Sequence, residues 1–229
     1  MDQKNSNEFS KPISCNEKTW PIFSLDHFLT PNHYDDCLDR ILIPHGLISD
    51  RIQKMALEYY NSCDKSKPIL ALCVLKGASQ FFHELVQALR SLAARDTNQK
   101  SPQIFIDFIR VKSYENTESS GKVKIIGMHS LEDITDKNVM IVEDLIDTGR
   151  TMKKLIKTVE DYKPYKITVA SLLLKETPNA IEDRHLPELC GFIVPDVFVI
   201  GYCMDYNEYF RDLDHLCIIS PEGIQKFKN

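Results

Sequence analysis

Neither of the common glycine-rich phosphate loops occurs in this chain of 229 residues: there is no Gly-x-Gly-x-x-Gly and no Gly-x-x-x-x-Gly-Lys-Ser/Thr. Dinucleotide and nucleoside-triphosphate readings therefore lose their usual fingerprints. The seven cysteines are odd in number and none lies in a Cys-x-x-Cys pair, so reduced, inert thiols are expected rather than a disulfide framework. Cys73 sits inside the apolar run Ile69 to Leu75, where a thiol behaves as a small hydrophobe. There is no Asn-x-Ser/Thr acceptor, no secretory leader pattern and no long uncharged apolar run. Export and membrane spanning thus lack support, and a soluble cytoplasmic protein is expected. Internal repeats and low-complexity blocks are missing too. No basic stripe stands out either, because 28 basic and 33 acidic residues are mixed along the chain, for a net charge of −5 and a pI near 5.8. Nucleic acid and acidic membranes are therefore excluded as expected partners. An anionic ligand would have to be caught by local amides, single Lys or Arg side chains and metal.

What the chain does have is apolar material, 43% of its residues, enough to bury one large core without disulfides or structural metal. Met1 to about Lys18 is polar and aperiodic and reads as a disordered tail, which leaves 19–229 as one domain. Trp20 to His33 is aromatic and broken by proline, as expected of irregular chain packed on the body. Arg40 to Pro44 reads as a short strand, and helical spacing behind a Ser49 cap joins Ile52, Met55, Ala56, Tyr59 and Tyr60. Ile69 to Leu75 reads as a core strand ending at Lys76-Gly77-Ala78. A helix from about Ser79 to Leu92 then buries Phe82, Leu85, Val86 and Leu89. Ile104 to Val111 and Val123 to Gly127 read as extended, separated by the polar run Ser113 to Gly121, and such a loop in a compact domain often serves as a lid. Further strands are expected at Ile167 to Leu174, Val197 to Tyr202 and Leu216 to Ser220. Strands alternating with helices imply right-handed crossovers and an α/β fold with a mainly parallel sheet.

The most informative segment is Val139-Met-Ile-Val-Glu-Asp-Leu-Ile-Asp-Thr-Gly-Arg-Thr151. Val139 to Val142 is apolar without alternation, as in a central strand buried on both faces. Glu143 and Asp144 end that run, and ligands collect at the carboxyl ends of strands in open α/β sheets. Consecutive strand residues point to opposite faces, so only one of the two needs to face a given ligand group. Their hard oxygens suit ribose hydroxyls or Mg²⁺. Thr148 to Thr151 is small or hydroxylated except at Arg150, and the helix that follows puts Met152, Leu155, Ile156, Val159 and Tyr162 on one face. Free amides and the positive dipole end at that helix start would cradle a phosphate, with Asp147 inside the cradle. The same residues would also make a solvated strand end followed by an ordinary Asp/Thr helix cap.

Taken whole, the string resembles the phosphoribosyl-pyrophosphate-binding motif of the type I phosphoribosyltransferases. Leu75-Lys76-Gly77, Ser113-Tyr114, Ser171 to Lys175 and Phe198 to Asp212 resemble the hypoxanthine-guanine branch of that family, so the likeness covers nearly everything beyond the N-terminal tail. It implies a mainly parallel twisted sheet flanked by helices, with a small hood built from N- and C-terminal segments. It also implies Mg²⁺ as cofactor and, as substrates and products, phosphoribosyl pyrophosphate, hypoxanthine, guanine, IMP, GMP and pyrophosphate. By the same resemblance Glu143, Asp144, Leu145, Ile146, Thr148, Gly149, Arg150 and Thr151 hold the sugar phosphate, the two acids also meeting metal. Asp147 resembles the proton acceptor near the imidazole nitrogens of the purine, and organising the loop as a helix cap is the other role open to it. Lys76 and Gly77 would offer backbone groups to pyrophosphate in a loop of unusual peptide geometry. Ala78 stands where many relatives have a second glycine, and Arg150 where lysine is frequent. Ser113 and Tyr114 would belong to a mobile loop that closes over the reacting centre. Lys175 would donate to the 6-oxo oxygen of the base, Phe198 would stack on it, and Val199, with Val197 nearby, would read its edge. Asp205 resembles the ligand of a second magnesium and Arg211 its charge partner. Relatives are commonly dimers or tetramers, so a homo-oligomer is expected. A non-catalytic binder of the same ligand, or a relative acting on xanthine or a pyrimidine, would share this cradle.

Overall fold

The computed structural model describes residues 9–16, 18–97, 101–112, 124–127 and 130–228. Along them run the strands β1 (Ile13–Ser14), β2 (Leu38–Ile43), β3 (Ile69–Val74), β4 (Ile104–Lys112), β5 (Lys124–Ile126), β6 (Asn138–Ile146), β7 (Lys166–Lys175), β8 (Leu189–Val194), β9 (Val199–Ile200) and β10 (Leu216–Ile219). Four α-helices intervene: α1 (His45–Ser62), α2 (Ser79–Arg95), α3 (Arg150–Glu160) and α4 (Pro221–Lys226). One sheet has the order β1-β8-β7-β6-β3-β4-β5 and is parallel except for β5, which runs antiparallel to β4. This is the α/β architecture with a mainly parallel sheet that the alternation of strand and helix patterns implies.

Apolar residues on both sides of each central strand dictate helices on both faces. In β3, Ile69, Ala71 and Cys73 join the cluster that holds Ile52 and Met55 of α1 and Phe81 and Leu85 of α2. Leu70, Leu72 and Val74 join the opposite cluster, with Met152, Leu155 and Val159 of α3. The β6 residues divide the same way, Met140 and Val142 to the first face and Val139 and Ile141 to the second. Each fully buried side chain of this size stabilises the fold by about 1.5 to 3 kcal/mol relative to exposure.

A second, antiparallel sheet of order β2-β10-β9 forms a hood from the two ends of the chain. Phe23 adds a bridge to Ile41. Tyr34 packs on Phe210 and Phe227, donates its hydroxyl to Asp212 at 2.9 Å and accepts from the Phe210 amide at 2.9 Å. The hood is clamped to the body at α1, which starts at His45 immediately after Pro44. Ser49 therefore does not cap this helix. The apolar spacing is correct, but proline's fixed φ allows the helix to begin a turn earlier, and the His45 amide donates to His215 Nδ1 at 3.0 Å.

The structure departs from the sequence reading at three other places. The expected tail 1–18 is ordered in part, since Ile13–Ser14 pairs with Phe192–Ile193. Buried Arg51 fixes this segment, donating to the Ser10 hydroxyl and to the carbonyls of Ser10, Lys11, Cys190 and Gly191. Strand β8 (Leu189–Val194) has no clear mark in the sequence, because Gly191 breaks its apolar run. A Cβ at that glycine would lie 2.6 Å from the Leu172 carbonyl, so close strand pairing requires it. Only Val199–Ile200 of the expected strand Val197 to Tyr202 is regular, because positive φ at Gly201, Tyr202 and Cys203 turns the chain away. Ser113 to Gly121 and Val123 lie outside the described residues. Among the described residues, no helix is long and apolar enough to cross a membrane.

Burial holds the His215 imidazole below its ordinary value, consistent with a ring nitrogen that must accept from His45. The unfolded chain takes up this proton first as pH falls below about 6.5, so folded stability is lost as pH drops from there. Calorimetric melting should show a decline between about pH 7 and pH 5.5. A His215→Asn variant should show a shallower decline over the same range.

Candidate active site

Parallel pairing sets Cys73 of β3 beside Val142 of β6, so the two strands reach the carboxyl edge of the sheet together. There β3 stops at Val74, while β6 continues through Glu143 and Asp144 to Ile146, still paired with β7. The acids therefore do not end the strand as its composition suggests. They lie where one neighbour has already turned away. Nor do their carboxyl groups diverge fully, as strict alternation predicts, because they come within mutual hydrogen-bonding reach. Burial, and secondarily the Asp144 charge, hold the Glu143 carboxyl well above the usual carboxylate range. Burial also raises Asp144, opposed by hydrogen bonds from Glu143 and the Leu145 amide and by the Arg211 charge. Two desolvated acids side by side favour a bound cation, and their hard oxygens suit Mg²⁺. Among the described residues no three His, Cys, Asp or Glu side chains converge as a complete metal cage. Asp205 stands apart, paired with Arg211 at 2.7 Å. Mg²⁺ retains water and takes phosphate oxygens readily, so this partial set fits it.

At the end of β3 the Leu75–Lys76 peptide is cis. Gly77 follows, and a Cβ there would lie 1.6 Å from Asp144 Oδ2. Glycine is needed because the loop passes directly against the acid. Ala78 has helical backbone (φ −71°, ψ −6°) as it leads into α2, a conformation that any residue adopts, so the missing second glycine is tolerated. Lys76 Nζ meets Glu208 at 2.6 Å, tying this loop to the segment after β9.

Beyond β6, exposed Asp147 and half-buried Thr148 lead to Gly149, whose φ of +83° starts α3 without a side-chain cap. Gly149 itself offers no cap; the Thr148 hydroxyl accepts from the Arg150 amide at 3.5 Å, and the following amides of the first turn face the cavity side of the helix start, where an anion is favoured. Leu75, Glu143, Leu145, Asp147, Thr148 and Thr151 line a cavity of about 230 Å³ here, with Ile146 and Gly149 also on its wall. Arg150 is exposed at the helix start. Sequence reasoning missed Arg184, which covers this loop: Nη1 donates to the carbonyls of Asp147 at 2.8 Å and Lys175 at 2.9 Å. The Ile181 amide adds a bond to the Thr148 carbonyl at 3.1 Å.

A neighbouring cavity of about 260 Å³ is lined by Asp144, Leu145, Asp147, Lys175, Phe198, Val199, Met204 and Asp205. Phe198 is 47% exposed and meets Tyr206 edge-on at 5.3 Å, so it is not an ordinary core phenylalanine. Val197 precedes it in the turn after β8, its amide bonded to the Pro195 carbonyl. Lys175, only 9% exposed, stands 3.8 Å from Asp147 and 3.7 Å from Asp196. Arg211 donates to the Cys203 carbonyl at 2.7 Å. Met204 and Asp196 are also residues that the sequence reading left out. Positive φ at Tyr202, Cys203, Asn207, Glu208 and Phe210 concentrates unfavourable backbone beside this cavity, as is common at functional sites. Ser113 and Tyr114 lie outside the described residues.

Residues 41–207 match the family described as "Phosphoribosyl transferase domain", which gives the class of protein. Similarity to individual members extends further. The chain is 47% identical to human hypoxanthine-guanine phosphoribosyltransferase over 208 residues, 91% of this chain and 93% of that protein. It is 46% identical to the cattle protein over the same shares. The crystal structure of Schistosoma mansoni hypoxanthine-guanine phosphoribosyltransferase in complex with IMP superposes with a TM-score of 0.76 at 34% identity, covering 95% of this chain and all of that one. The chain belongs to the hypoxanthine-guanine phosphoribosyltransferase family.

Gly77→Ala should force Asp144 aside and lower unfolding stability by about 1 to 3 kcal/mol, the usual range for overpacking. Urea denaturation measures this. A variant as stable as the parent would show that the close approach is not rigid.

Proposed function

We propose that this protein transfers the phosphoribosyl group from phosphoribosyl pyrophosphate to hypoxanthine or guanine, releasing pyrophosphate and giving IMP or GMP. The observation that carries this reading is the convergence, along the carboxyl edge of one sheet, of the glycine-led α3 start, the acid pair of β6 and Lys175 at the end of β7. The 5′-phosphate takes the amides and hydroxyls of Thr148 to Thr151, where the helix dipole favours an anion. Glu143 and Asp144 face the ribose, and the loop at Lys76 and Gly77 offers backbone groups to pyrophosphate. Glu143 and Asp144 would hold magnesium, and Asp205 a second magnesium on the pyrophosphate side; the metal would supply charge neutralisation for the leaving group.

The base occupies the second cavity, with Phe198 against its face and the Val199 backbone along its edge. Lys175 donates to the 6-oxo oxygen, which adenine lacks, since its amino group cannot accept from an ammonium. Asp147 takes the proton that leaves the imidazole ring as the new glycosidic bond forms. Body and hood act as one domain in the cytoplasm, on small molecules rather than nucleic acid or membrane. Assembly as a homo-oligomer, dimer or tetramer, is consistent with exposed Phe105, Ile106 and Phe108 on β4.

Pyrophosphate release measured with hypoxanthine, guanine and xanthine, with and without magnesium, tests the reaction. Activity on the first two that requires the metal is expected, and none on either base would refute it. Asp147→Asn should retain nucleotide binding while kcat falls by about two to four powers of ten, which single-turnover kinetics would register. Lys175→Met should weaken 6-oxopurine binding by roughly 1 to 3 kcal/mol, read as higher KM values for both bases.

A further inference from the structure

Lys175 ends β7, the strand between β6 and β8 in the sheet. A carboxylate approaches from the end of each neighbour: Asp147 Oδ2 just after β6 at 3.8 Å, and Asp196 Oδ1 just after β8 at 3.7 Å. Both separations lie within ion-pair range yet exceed a direct N–H to oxygen bond. The ammonium is thus balanced between two acids and captured by neither. Asp196 is itself braced, because Thr177 Oγ1 donates to its Oδ2 at 3.2 Å and the Val197 amide closes a tight turn onto Pro195 at 2.8 Å. The Glu176 amide bonds to the Val194 carbonyl at 2.8 Å, which fixes the end of β8 against the residue following Lys175.

We propose that Asp196 is a positioning residue that sets the base specificity of this site by offsetting the pull of Asp147 on Lys175. Its counter-pull keeps the ammonium donors turned to a carbonyl oxygen on the bound heteroaromatic ring and leaves the Asp147 carboxylate free to accept a proton. With Asp196 neutralised, Lys175 closes on Asp147, and one displacement weakens both carbonyl recognition and proton acceptance. This inference rests on the base-binding reading of the second cavity.

Steady-state kinetics of Asp196→Asn separates it from a merely structural role. The KM for hypoxanthine should rise about tenfold, the scale of one lost charged hydrogen bond. The inhibition constant of unsubstituted purine, which has no oxygen at position 6, should stay within about twofold, as should the KM for phosphoribosyl pyrophosphate. In a Lys175→Met background, Asp196→Asn should add less than about twofold, because residues acting through one another are not additive. Thr177→Val, which frees Asp196 without removing it, should lower the hypoxanthine preference in the same direction and carries the test should Asp196→Asn fold poorly. An unchanged hypoxanthine-to-purine preference in both variants, alongside its loss in Lys175→Met, overturns the role of Asp196 and leaves the base-binding reading standing. A preference that survives Lys175→Met overturns that reading itself.

Discussion

The contact on which the site depends is the approach of the Gly77 backbone to the Asp144 carboxyl. It follows from neighbouring strands β3 and β6 running in register as far as Cys73 and Val142, after which one turns off while the other continues. Everything chemical is arranged around that step in the sheet edge. The loop on one side presents backbone groups, the acid pair on the other presents oxygens, and no side chain at position 77 separates them. A parallel sheet packed on both faces is rigid enough to hold such a contact, because shifting either strand would disturb two helix layers at once.

Electrostatics around this step are unbalanced toward negative charge. Lys76 is engaged by Glu208, Arg211 by Asp205 and Glu208, and Lys175 by Asp147 and Asp196. Glu143 and Asp144 are left sharing a desolvated corner. A crevice in which each of these cations already has a carboxylate neighbour favours an anionic substrate only if that substrate arrives with divalent metal, or if free amides do much of the binding. The glycine-led start of α3 provides such amides, and Arg184 holds the loop that leads into them through the backbone carbonyls of Asp147 and Lys175.

Much of this was legible in the residues themselves. Val139 to Val142 announces a strand buried on two faces, and the period of Met152, Leu155 and Val159 announces the helix behind it. The cradle between them follows from small residues at the turn. Gly191 hid β8, because a glycine in a short apolar run reads as a break when it in fact permits close pairing. Ser49 misled because cap chemistry is common and Pro44 is an equally good start. Asp196 and Arg184 lie in polar connections where single charges carry no local signal. Their importance comes from the order β6-β7-β8, which brings together chain ends far apart in sequence. Phe198 shows the converse: an aromatic in an apolar run reads as core until positive φ values nearby turn the backbone and leave its ring half exposed.

The guanidinium of Arg51 has a consequence at the opposite border of the sheet. The outward carbonyls of Cys190 and Gly191 accept from it, and that of Ile193 accepts from the Cys15 amide. Strand β8 is therefore covered along this stretch by Arg51 and by the short strand β1, which takes the place of the sheet edge, and a very short edge strand is a poor template for another chain. A protein trimmed past Ser14 would lose the Ser10 and Lys11 acceptors of Arg51 together with the β1 pairing, so a few residues that look dispensable in composition cover the free edge of β8.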